Sequence, residues 1–177
     1  AKASNYTVAD TIGTLEVTAA NITDTARFTV SQPADVVYNG LEQRQDVTVA
    51  DSKTGEDLAE GADYTLAYSD DATNVGTVTV TVTGTGNYAG EVVRTYQITP
   101  ATLTVTTPSA SKVYDGTALT ADGTISGLVN GETATFATTG TQTAKGSSDN
   151  TYSLTWDGTA KASNYTVADT IGTLEVT

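Results

Sequence analysis

Residues 76–86 read GTVTVTVTGTG. Val78, Val80 and Val82 fall on one face and Thr77, Thr79, Thr81 and Thr83 on the other, the two-residue period of a half-buried strand. The same alternation recurs outward from this stretch. Tyr64, Leu66 and Tyr68 share a face, as do Val47 and Val49, Phe28 and Val30, Leu103 and Val105, Ala134 and Phe136, and Tyr152, Leu154 and Trp156. No segment carries a helical stripe, and EDLAEGADY at 56–64 holds a single turn at most. Short strands broken by Gly, Asn and Asp predict an all-β chain of two tandem small antiparallel β domains. Each is expected to be an Ig-like sandwich of about six or seven strands. A helix-poor β-grasp is the alternative, because periodicity does not encode pairing order.

The chain also repeats itself. Residues 160–177, AKASNYTVADTIGTLEVT, reproduce residues 1–18 letter for letter, an offset of 159 residues. Within that period lies a fainter repeat. Asn-Tyr recurs at Asn5-Tyr6, Asn87-Tyr88 and Asn164-Tyr165, each followed by a strand-like ending, TLEVT or TYQIT. FTVSQPADVVYNG at 28–40 matches LTVTTPSASKVYDG at 103–116, with Val30/Val105, Pro33/Pro108 and Tyr38/Tyr114 in corresponding places. The expected organisation is therefore a B-type unit over 19–100 and an A-type unit over 101–177. Residues 1–18 are then expected to be the last strands of a preceding A-type unit, packed on the adjoining B-type unit or on a sheet edge of another molecule.

Composition narrows the function. With no Cys, Met or His, the chain lacks thiolate and imidazole chemistry, disulfides and Cys/His zinc sites. Thr supplies about a fifth of the residues, a strand-forming side chain that tolerates water. The net charge of −13 disfavours nucleic acid and anionic lipid, and no stretch of about 18 apolar residues offers a membrane span. Any export signal or anchor is expected outside these residues. The reading is non-enzymatic.

Asn39-Gly40, Asp115-Gly116, Asp122-Gly123, Asn130-Gly131 and Asp157-Gly158 are turn pairs before they are sites. GTGNYAG at 84–90 resembles a phosphate loop only superficially, since it joins two strands and opens no helix. The junction YQITPATLTV is interrupted by Pro100 alone, whereas LEVTAANITDTARFTV at 15–30 is longer and carries Asn21 and Asp24. Stiffness is thus expected to alternate along an array, with about 75 Å per period if the strands run along its axis.

Three sharper readings stand beside a purely structural one. Asp51, Glu56, Asp57, Glu60 and Asp63, with Asp70 and Asp71 as a second acidic spot, are candidate calcium ligands. Their spacing departs from an EF-hand loop, so a solvated acidic loop without cofactor is favoured. Lys112 with Asn150 or Asn164 has the residue types of an intramolecular isopeptide bond, although an exposed Lys112 is the simpler expectation. Trp156 and the nine tyrosines offer stacking platforms for sugars. Trp156, however, is in phase with Leu154 and Tyr152, which favours core packing, and Tyr88 and Tyr165 read as structural plugs bonded through their hydroxyls.

The run ITPATLTVT with SKVYDGTALTADGTISGLVNGE at 111–132 resembles the YDG-type repeats of bacterial extracellular proteins. The stretch from VVYNGLEQ to RTYQIT at 36–99 is similar to the YNG-type, MBG-related repeats of Gram-positive surface adhesins. The resemblance implies Ig-like or β-grasp-like modules in an extracellular, cell-wall-attached stalk that projects a distal binding domain. It supplies no catalytic residue. Neighbouring repeats are the expected partners, with host glycans or mucin reached through the full-length protein. The alternative function is a weak, multivalent glycan- or mucin-binding repeat.

Overall fold

The structure, a computed structural model, describes residues 2, 7, 9–69 and 71–177. Before Pro100 the strands are β1 (Ala20–Asn21), β2 (Phe28–Val30), β3 (Val36–Val37), β4 (Val49–Asp51), β5 (Glu56–Asp57), β6 (Tyr64–Tyr68), β7 (Gly76–Gly84), β8 (Tyr88–Ala89) and β9 (Glu91–Thr99). They form sheets in the orders β3-β9-β7-β6, β2-β4-β5 and β1-β8. After Pro100 come β10 (Ala101–Thr106), β11 (Ala110–Lys112), β12 (Thr124–Ser126), β13 (Thr135–Thr138), β14 (Gly146–Asp149), β15 (Tyr152–Thr155), β16 (Tyr165–Thr170) and β17 (Thr173–Val176). These pair as β12-β10-β16, β11-β17-β14 and β13-β15. Among the described residues every ladder stays on one side of Pro100.

The chain is all-β, as expected, and the sheets are mixed. Among the described residues, antiparallel neighbours such as β6 and β7 coexist with four parallel strand pairs, β1 with β8, β3 with β9, β10 with β16 and β11 with β17. Alternation reports which face a side chain takes and is blind to strand direction, so the parallel pairs leave no mark in it.

The two sides of Pro100 are built in the same register. Ala20 lies opposite Tyr88, and Ala101 opposite Tyr165. Val30 pairs with Val49, and Val105 with Ile125. Gly76 faces Ile98, and Gly146 faces Val176. The Tyr38 amide donates to the Thr99 carbonyl at 2.8 Å, and the Tyr114 amide to that of Thr177 at 3.0 Å. The main difference lies at the first strand. β10 is continuous, whereas residues 22–27 loop out between β1 and β2, held by Asn21 and Asp24 side chains that accept the amides of Thr23 and Ala26.

In the first half Val78, Val80 and Val82 are completely buried in β7, between β6 and β9. Each such valine contributes roughly 1.5–3 kcal/mol through burial. Three tyrosines of the flanking strands, Tyr64, Tyr68 and Tyr96, donate their hydroxyls to the carbonyls of Val47, Gln45 and Gln43. That run has no ladder partner over 43–47, so side chains satisfy its carbonyls instead.

In the second half the parallel strands bend together. A Cβ built on Gly172 would lie 2.2 Å from the carbonyl carbon of Pro108, so only glycine allows β10–β11 and β16–β17 to kink at one level. Buried Asn150 bridges the kink, its amide group donating to Pro108 and Ala121 carbonyls at 2.9 Å each.

Residues 9–18 do not take the expected place on the adjoining first half. They belong to no strand, and Ile12, Leu15 and Val17 are 89%, 102% and 99% exposed. Their counterparts Leu174 and Val176 are buried because β17 lies between β11 and β14 of its own half. In the first half the equivalent slot is already filled by β9, so the duplicate has nowhere to pair. Val17, Thr18 and Ala19 line a shallow hollow with Gly86 and Asn87. The Asn5-Tyr6 pair lies outside the described residues.

Candidate functional site

The most elaborated polar site joins the two halves. Tyr38 directly follows β3 and precedes the Asn39-Gly40 turn, Glu132 follows the Asn130-Gly131 turn, and Tyr165 opens β16. Asn130 has φ 50° and Gly131 φ 69°, the left-handed pair that throws Glu132 back toward the first half. The Tyr38 hydroxyl donates to Glu132 Oε1 at 2.5 Å, and the Tyr165 hydroxyl donates to Oε2 at 2.5 Å. One carboxylate thus grips a tyrosine from each side of Pro100 through charge-assisted bonds.

Packing closes around this bond pair. The Tyr38 and Tyr165 rings meet edge to face with centroids 5.7 Å apart, and Trp156 stacks on Tyr165 at 5.5 Å. Burial, followed by the bond to Glu132, pushes the Tyr165 hydroxyl up to about 12, and the same two causes raise that of Tyr38. Both rings remain neutral donors across the physiological range. Beside them the Asn130 side chain donates to the Gly40 carbonyl at 3.0 Å.

A second polar contact flanks the first. Fully buried Asn164 accepts the Val75 amide at 3.0 Å and donates to Asn74 Oδ1 at 3.0 Å, while Lys161 Nζ reaches the same Asn74 oxygen at 3.2 Å. Asp71 shapes this loop by accepting the amides of Thr73 and Asn74, which hold its carboxyl below the usual range. Apolar burial is continuous across Pro100, from Val78 and Ile98 through Ala101 and Leu103 to Ala160 and Tyr165. The arrangement restrains two bodies. Two hydroxyl donors on one carboxylate hold a geometry and generate no nucleophile.

The acidic candidates are spread over separate tasks. Buried Asp51 forms a two-pronged pair with Arg27, at 2.9 and 2.6 Å, and accepts the Lys53 amide, so its oxygens are already engaged. Those contacts, Arg27 foremost, hold its carboxyl down to about 2. Asp63 accepts the Ala59 amide, and Glu56 and Asp57 are exposed on β5. Glu60 is exposed too. Asp70 lies outside the described residues. Among the described residues no three acidic side chains converge on a cation-sized site.

Lys112 differs from the expectation of exposure. It is half-buried, and its ammonium donates to Asp115 Oδ1, the Thr117 carbonyl and Thr117 Oγ1 at 2.7 Å each, because the 114–117 turn wraps over it. Its contacts lie in that turn, while Asn150 sits at the kink and Asn164 at the junction. Trp156 is half-buried and packed, as its phase indicated. Tyr165 is a plug bonded through its hydroxyl, whereas Tyr88 packs edge-on against Phe28 at 5.9 Å.

Glu132 and Tyr38 were not singled out from the sequence as functional. One signal was available: Glu132 is the sole acid between Asp122 and Asp149, directly after a turn pair.

Fold and junction together describe an all-β chain whose ladders stay on one side of Pro100 while its core runs across it. Residues 103–175 match the family model of the MBG domain, YGX type. MBG domains are repeats found in surface proteins and are not a known enzyme family. No curated protein matches the chain.

Proposed function

We propose that the chain is a non-catalytic spacer from the stalk of a wall-attached bacterial surface adhesin, with 19–100 and 101–177 as its B-type and A-type repeat units and residues 1–18 as strands of a preceding A-type unit. The observation that carries this reading is the grip of Glu132 on both Tyr38 and Tyr165. A junction that spends its buried polar groups on fixing the angle between neighbours suits a load-transmitting rod. The verbatim duplication of 18 residues supports an array in which the same unit recurs.

The mechanism is mechanical. Continuous burial and the paired tyrosines oppose bending at each B-to-A junction, the threonine-rich outer face stays hydrated, and the net charge of −13 makes neighbouring stalks repel. Function then resides in a distal domain that binds host glycans or mucin. Small-angle scattering on chains of one, two and three periods tests this. Length that grows linearly at constant cross-section supports the stalk, and dimensions that saturate overturn it.

A further inference from the structure

The B-to-A junction has an unfilled counterpart at the opposite ends of the two halves. Tyr38 and Tyr114 hold the same register position, each donating its amide to the last threonine of a TYQIT or TLEVT ending. Tyr38 is 4% exposed against its neighbour, whereas Tyr114 is 60% exposed and Val113 beside it 75%. Tyr114 is a plug with no socket.

The first half carries the residues equivalent to that socket. Tyr88 stands opposite Ala20 as Tyr165 stands opposite Ala101. Glu56 lies as far beyond Val49 as Glu132 lies beyond Ile125, and Val49 and Ile125 are themselves register equivalents. Each glutamate follows a left-handed glycine, Gly55 at φ 77° and Gly131 at φ 69°. Glu56 is exposed in the isolated chain. We infer that Tyr114 of one copy of this chain docks on Glu56 and Tyr88 of a second copy, reproducing at the A-to-B junction the contact that Tyr38 makes with Glu132 and Tyr165.

The duplicated sequence ties the two surfaces together independently. Thr177 and Thr18 are the same position of the repeat; Thr177 accepts the Tyr114 amide, while Thr18 runs beside Gly86 and Asn87, next to Tyr88. The occupant is therefore another copy, presenting its Glu56 end to the Tyr114 end. The inference rests on the reading that the units stack, and it specifies which residues make the second kind of junction.

The chain has no cysteine, so Lys53→Cys gives a single attachment point for a spin label beside Glu56. Labelled chain is mixed with isotope-labelled, spin-free chain, both spanning residues 1–177, at about 1 mM, the effective concentration that a short tether provides. The expected result is relaxation broadening of the spin-free partner concentrated on the amides of 113–117, and its loss when that partner carries Tyr114→Ala or the labelled chain carries Glu56→Gln. Broadening that is absent, evenly spread or unchanged in both variants overturns the docking. A stiff array in scattering combined with that negative result would overturn this socket and leave the stalk reading standing.

Discussion

Leu15 and Leu174 occupy the same position in identical 18-residue stretches, yet Leu15 is 102% exposed and Leu174 is completely buried. Everything local to the two residues is shared. The difference is supplied by β11 and β14, which flank one copy and are missing beside the other.

The pair offers a controlled comparison. Leu174→Ala is expected to destabilise the chain by about 2–5 kcal/mol, the cost of emptying a buried leucine site. Leu15→Ala should change stability by less than about 0.5 kcal/mol. Chemical denaturation of the two variants checks this, and equal effects would contradict the packing described for β17.

Glu132→Gln leaves two buried tyrosine hydroxyls without their charged acceptor. A loss of about 1.5–3 kcal/mol is expected, together with separation of one unfolding transition into two as the halves lose their coupling. A double-mutant cycle of Tyr38→Phe and Tyr165→Phe should show strong non-additivity, because both hydroxyls bind one carboxylate.

The junction is also expected to fail in alkali. Tyr165 is pushed up to about 12 in the folded chain, against about 10 for an exposed tyrosine. A raised value means that its stabilisation is fully present below about pH 10 and is lost as pH rises through about 12. Tyrosinate absorbance should show a late step that Tyr165→Phe abolishes. A titration unchanged by that substitution would remove Tyr165 from the late step.

Acid acts at a different place. Arg27 holds Asp51 down to about 2, against about 3.9 for a free aspartate. A depressed carboxyl contributes stability above its ordinary range and loses it as pH falls from about 4 to about 2. The difference in melting temperature between the parent chain and Arg27→Gln should therefore be greatest above about pH 4 and vanish near pH 2. A constant difference across that window would mean that Arg27 acts through packing alone.

Gly172→Ala probes the kink. The added methyl meets the Pro108 backbone rather than a movable side chain, so a cost of about 1–3 kcal/mol or more is expected. The equivalent change at Gly13, which has nothing within 4 Å, should be nearly silent. Thermal melts of the two variants decide it.

Much of this protein was legible in its residues. Val78, Val80 and Val82 announced a buried strand face, and the register identity of Tyr38 with Tyr114 followed the matched YNG and YDG turns. The parallel pairing of β10 with β16 was not legible, because Leu103 and Val167 are distant in sequence and alternation carries no direction. Nor was the role of Glu132, which reads as a surface acid until Tyr38 and Tyr165 are placed on its two oxygens.

The sequence alone determined the all-β class, the repeat and the absence of thiol and imidazole chemistry, since these follow from side-chain type and spacing along one chain. Tertiary structure decided which copy of TLEVT becomes a strand, which tyrosine is a plug and which acid is a clasp. The physical reason is that burial and hydrogen-bond satisfaction belong to a residue's neighbours in space, and identical segments with different neighbours take different states.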